Sequence, residues 1–87
     1  MNAVITFDLE NASTDDYRTA YDILERFGLA SETSKGTELP TTTVIGPLPS
    51  HTNIADFVDD IREAFIASGL SGLLFGIKAA GGALRSC

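Results

Sequence analysis

Apolar and polar positions alternate with a period of two from residue 3 to residue 9, with Ala3, Ile5, Phe7 and Leu9 on one side and Val4, Thr6 and Asp8 on the other. Successive side chains of a strand point to opposite faces, so this predicts a strand with one face turned to a core. The period then changes. Ser13 and Asp16 have the spacing of a capping box, acids follow at once, and a helix is expected from about Thr14. Tyr17, Ala20, Tyr21, Leu24 and Phe27 recur at helical spacing up to Gly28, a residue suited to the left-handed turn that stops a helix.

Between Leu29 and Gly46 the helical period is lost and Thr and Ser accumulate around Lys35-Gly36-Thr37, which predicts a hairpin. Its first strand, over 30–34, is polar and suited to a sheet edge. Its second, over 41–45, reads Thr-Thr-Thr-Val-Ile, with Pro40 before it where no ladder donor is lost. A loop over Gly46-Pro47-Leu48-Pro49-Ser50 follows. Asn53 with Asp56 then caps a second helix whose Ile54, Phe57, Val58, Ile61 and Phe65 form one apolar stripe ending at Gly69. Leu73 to Lys78 gives a fourth strand before Gly81-Gly82.

The order strand, helix, strand, strand, helix, strand predicts an α+β, ferredoxin-like βαββαβ sandwich. Its four-stranded antiparallel sheet would have the order 4-1-3-2, with both helices on one face and Ile5, Phe7, Phe57, Ile61 and Phe65 in the core. Val4, Thr6 and Asp8 would lie on the uncovered face. A half-apolar open face of that kind favours closure by a homodimer.

Composition narrows the classes. The 87 residues, 44% hydrophobic and 21% charged, suffice for a single folded domain over 1–87, with a mobile end expected from about residue 80. Twelve acids against six basic residues give a net charge of -6, which disfavours a large phosphate-binding surface. All the acids precede residue 64, and the rest of the chain carries only Lys78 and Arg85. The single cysteine, Cys87, forms no intrachain disulfide and no cysteine cluster. The apolar stretch from Gly69 to Ile77 is about half of the roughly 18 to 20 residues a membrane span needs, and the N-terminal segment lacks a secretory pattern. A cytoplasmic location with no membrane partner is therefore expected.

Asp8 is the foremost candidate for chemistry, because it ends the first strand on the face away from the helices. Two copies meeting across a dimer would pair their carboxylates, a set that suits magnesium or manganese and metal-activated water. The plainer reading is an exposed strand-end carboxylate. His51 stands before a helix with no second histidine to complete a nucleophilic triad, and reads as a surface or capping residue. Tyr17 and Tyr21 share one side of the first helix and read as core packing more than as a partner contact. Asp56, Asp59, Asp60 and Glu63 lie opposite the second helix's apolar stripe. They form either an acidic docking surface for a protein partner or a solvated face. The glycines match neither a dinucleotide fingerprint nor a P-loop, and no resident cofactor is expected.

Ile5-Thr6-Phe7-Asp8-Leu9, Asp16-Tyr17 and Arg26-Phe27-Gly28 together resemble the start of the SinR-like proteins and, more distantly, the CRISPR-associated small adaptation subunit and virulence-associated protein D. Thr43-Val44-Ile45-Gly46 stands where those families place their third strand. The resemblance implies a ferredoxin-like homodimer, in some members a metal-dependent nuclease centred on the aspartate that ends the first strand, matched here by Asp8. It also implies a C-terminal strand added to the partner's sheet, a role open to Ala83-Leu84. A dimer of charge about -12 repels a polyanion at moderate salt unless a metal or local patch compensates. Three functions follow in order of preference. The first is a dimeric binding or regulatory module without catalysis. The second is a weak metal-dependent endonuclease on RNA or DNA through Asp8. The third is an acidic inhibitor that imitates nucleic acid.

Overall fold

In the computed structural model the described residues are 2–31 and 42–79. They form β1 (Asn2–Leu9), α1 (Thr14–Arg26), β2 (Thr43–Pro47), α2 (Ile54–Ala67) and β3 (Gly72–Ala79). The three strands make one antiparallel sheet in the order β2-β1-β3. β2 and β3 fall where the sequence predicts strands over 41–45 and 73–78, and both pair with β1. The chain is an α+β fold with a three-stranded sheet and two helices among the described residues.

The alternation in β1 does what its pattern requires. Ala3, Ile5, Phe7 and Leu9 are buried, together with Ala20, Ile23 and Leu24 of α1, Val44 of β2, and Phe57, Ile61 and Phe65 of α2. Phe7 sits at the middle of an aromatic group, 5.5 Å from the Tyr21 ring and 6.0 Å from Phe65, both edge-to-face. That arrangement sets positive ring edges against negative faces. Tyr17 and Tyr21 are half-buried against this core, in agreement with the packing reading.

The helix signals are realised as spaced. Ser13 Oγ accepts from the Asp16 N–H and the Asp16 carboxylate accepts from the Ser13 N–H, closing a complete capping box. At α2 the Asn53 side chain accepts from the Asp56 N–H at 2.8 Å. α1 gives way to Gly28 at φ +83° and α2 to Gly69 at φ +78°.

Two boundaries differ from expectation. β2 starts at Thr43 rather than at 41 and runs on through Gly46 and Pro47, which had looked like loop. The physical reason lies in the ladder. The Phe7 N–H donates to the Thr42 carbonyl, and register then assigns the bonds toward β1 to Val44 and Gly46. Pro47 falls at a position whose N–H would point away from β1, so proline costs no bond there. Gly46 also passes so close to the end of α1 that a β-carbon would collide with the Gly28 carbonyl oxygen. The turn expected at Lys35-Gly36-Thr37, most of the strand over 30–34, Pro40 and the end of the chain from Ala80 lie outside the described residues. Ala30 belongs to them, and it exchanges two 2.8 Å hydrogen bonds with Ile45 on the outer side of β2.

Candidate functional site: the open face of the sheet

Both helices cover one face of the sheet. The register places Asn2, Val4, Thr6 and Asp8 of β1, Thr43 and Ile45 of β2, and Leu73, Phe75 and Ile77 of β3 on the other. On this open face Leu73 is 73% exposed, Phe75 62% and Ile77 48%. These three alternate residues form a ridge along β3, with half-buried Val4 and Ile45 continuing it across the sheet beside Ile77. Large apolar side chains aligned in this way differ from singly scattered ones, because they make a contiguous patch.

Asp8 lies at one end of that patch, opposite Leu73 in the ladder and exposed. With Thr6, Phe7, Thr42, Leu73 and Phe75 it lines a shallow concavity of about 220 Å³. Thr42 is held at φ +70°, a conformation that a β-branched residue rarely adopts. It is fixed there from the helix side, where its N–H donates to the Tyr21 hydroxyl at 3.1 Å, while its carbonyl accepts from Phe7. The concavity is thus built by a core tyrosine as well as by the strands.

Among the described residues no three His, Cys, Asp or Glu side chains come together. Among the described residues Asp8 stands there without a second or third ligating side chain to complete a group. Magnesium is commonly held by one or two carboxylates with water and substrate phosphates, so Asp8 suits such an ion when further ligands come from beyond the described residues.

The other candidates are dispersed. Asp56, Asp59, Asp60 and Glu63 are exposed on α2, and the Asp56 carboxylate accepts from the Asn53 amide at 3.1 Å as part of the helix start. His51 is exposed at φ +65° in the turn before α2, and Asn53 fills the capping role open to it. Cys87 lies outside the described residues. Sequence reasoning missed the ridge of Leu73, Phe75 and Ile77. Its signal was present as an alternation within an apolar run, but Leu74 between Leu73 and Phe75 hid which side faced the helices.

The chain matches no family model, none of the curated proteins and none of the solved structures with which it was compared.

Proposed function

We propose that the protein is a small homodimeric module that acts by binding and carries out no catalysis of its own. The observation that carries this reading is the exposed ridge of Leu73, Phe75 and Ile77 on the open sheet face. Apolar area of this kind gains roughly 25 cal/mol for each Å² removed from water, which favours a covered state. The acids of α2 face away from the sheet's core and leave a second, charged surface for a protein partner of basic character, with Asp59, Asp60 and Glu63 as its exposed centre. We further propose the complete ferredoxin-like architecture, with a strand that starts at Ala30 completing the order 4-1-3-2. The paired hydrogen bonds between Ala30 and Ile45 support it.

The test is the mass of the wild-type chain by sedimentation equilibrium over a wide concentration range, beside a Leu73→Ser/Phe75→Ser double variant. The reading expects a dimer for the wild type and a folded monomer for the variant. A wild-type monomer throughout would overturn it. The Asp8-centred nuclease stays as a second reading because the exposed Asp8 carboxylate borders a concavity. It predicts magnesium- or manganese-dependent cleavage of RNA or DNA that Asp8→Ala abolishes with the fold intact.

A further inference from the structure

The outer edge of β3 has a hydrogen-bonding order that can be worked out group by group. Glu10 N–H donates to the Ser71 carbonyl at 2.9 Å, one step beyond the ladder between β1 and β3. Hydrogen-bonded and non-bonded pairs alternate along an antiparallel ladder. The bonded pairs are therefore Asp8 with Leu73, Thr6 with Phe75, Val4 with Ile77 and Asn2 with Ala79. The residues between them, Gly72, Leu74, Gly76 and Lys78, turn their N–H and C=O groups outward. Among the described residues no strand pairs with that edge. The other edge is treated differently, since Ile45, the outward residue of β2, exchanges both its bonds with Ala30.

Edge strands are ordinarily blunted by proline, bulges, charge or shortness. β3 has an unbroken eight-residue register, no proline and no charge but Lys78. We infer that β3 is the two-fold edge of a dimer, pairing antiparallel with β3 of a second copy so that one sheet runs through both chains. This rests on the dimer reading above and sets its interface at the β3 edge, where the ridges of the two chains lie side by side and Leu73, Phe75 and Ile77 cover one another only in part.

The outward groups select the register. With the two-fold axis at Phe75, Gly72 stands opposite the partner's Lys78 and Leu74 opposite the partner's Gly76. Every outward residue of one strand then meets an outward residue of the other, for roughly eight hydrogen bonds between chains. A slip of one residue sets outward groups against inward ones, and a slip of two leaves an end unpaired. Side chains agree with this choice. Phe75 faces the partner's Phe75 and Leu73 faces the partner's Ile77 at non-bonded positions, where side chains approach most closely. Lys78 meets a glycine, and the two lysines stand about 20 Å apart along the strands, beyond the Debye length of about 8 Å at physiological salt.

This geometry separates the dimer from the paired-carboxylate chemistry. Three strand spacings and four residues of offset place the two Asp8 carboxylates about 20 Å apart, too far for one cation to bridge. Sheet-on-sheet closure of the open face has no such built-in separation, so the two arrangements predict different things.

Amide hydrogen exchange by NMR on the full chain, at concentrations below and above the dimer midpoint, reads the edge directly. Pairing at β3 is expected to slow exchange at Leu74, Gly76 and Lys78 at least tenfold as the dimer forms. In a Cys87→Ser background, Phe75→Cys is expected to form a symmetric disulfide under a glutathione redox buffer. The opposed Cα atoms would be about 4.5 Å apart, within disulfide range. Ile45→Cys, at the far side of the sheet, should stay reduced. A dimer whose outward amides exchange as fast as in the monomer would overturn the edge assignment and leave the dimer reading standing. Protection independent of concentration would also overturn it, and a monomer at every concentration would remove both.

Discussion

Phe75 and Gly76 are neighbours on one strand, yet they belong to different environments. Gly76 faces the helices, where a β-carbon would come within 2.5 Å of Val58 Cγ2 and 2.7 Å of Ile5 Cδ1. Phe75 faces outward with most of its ring in solvent. Both faces of this sheet carry large apolar side chains, and they differ in whether a described element covers them. On the covered face side chains are sized to the space available, down to a position where only hydrogen fits. On the open face three large residues are aligned with no described group above them. The lesson is that apolar character alone does not identify a core, since the same strand serves a core on one side and a surface on the other.

The largest expected effect lies on the covered face. Ile61 is completely buried on α2, and Ile61→Ala should cost about 2 to 5 kcal/mol in a urea titration of dilute protein, by lost transfer energy and residual cavity. Gly76→Ala should cost about 1 to 3 kcal/mol through overpacking, although it adds only one methyl group. Tyr21→Phe tests the link between faces. It removes the hydroxyl that accepts from the Thr42 N–H, and a loss of about 0.5 to 1.5 kcal/mol is expected. Phe75→Ala should change monomer stability by less than about 0.5 kcal/mol while weakening association, as measured by denaturation and sedimentation on the same sample. A large loss of monomer stability there would show that the open face is already covered within one chain. The smallest effect is expected at Asp8→Asn, which should leave both stability and dimer affinity nearly unchanged if the edges pair. If the open faces stack instead, removal of a charge from the contact should tighten the dimer.

Much of the covered side was legible in the sequence because its signals are local and redundant. Ser13 with Asp16, the stripe on α2 and the alternation in β1 each specify an element and its buried face at once. β2 was less so. The run Thr41-Thr42-Thr43-Val44-Ile45 has strand character throughout, but the ladder begins only where Phe7 meets Thr42, and no local residue pattern encodes that meeting. The direction of β3 was hidden for another reason. Leu73, Leu74, Phe75 and Ile77 are all apolar, so the run lacks the polar alternate positions that would assign its sides, and the glycine at 76 reveals its meaning only beside Val58 and Ile5. Asp8 was legible as a position but not as a site, because its surroundings come from Thr42, Leu73 and Phe75, which are distant in sequence.

The pairing of β1 with β3 also sets the order in which the fold can be completed. Leu9 is opposite Gly72 and Asn2 opposite Ala79, so the central strand is joined to its neighbour across a loop of roughly 60 residues, an entropically costly closure. During synthesis β1 emerges long before β3 exists. Its even-numbered backbone groups then have only water for partners, while α1 can already form on local contacts. Assembly of the sheet is therefore expected late, after both helices, and a nascent chain stalled before Gly72 should hold helices without a closed sheet. The strand that completes the described sheet is the same one that carries the exposed ridge, so the surface proposed for self-association comes into being only when that strand docks.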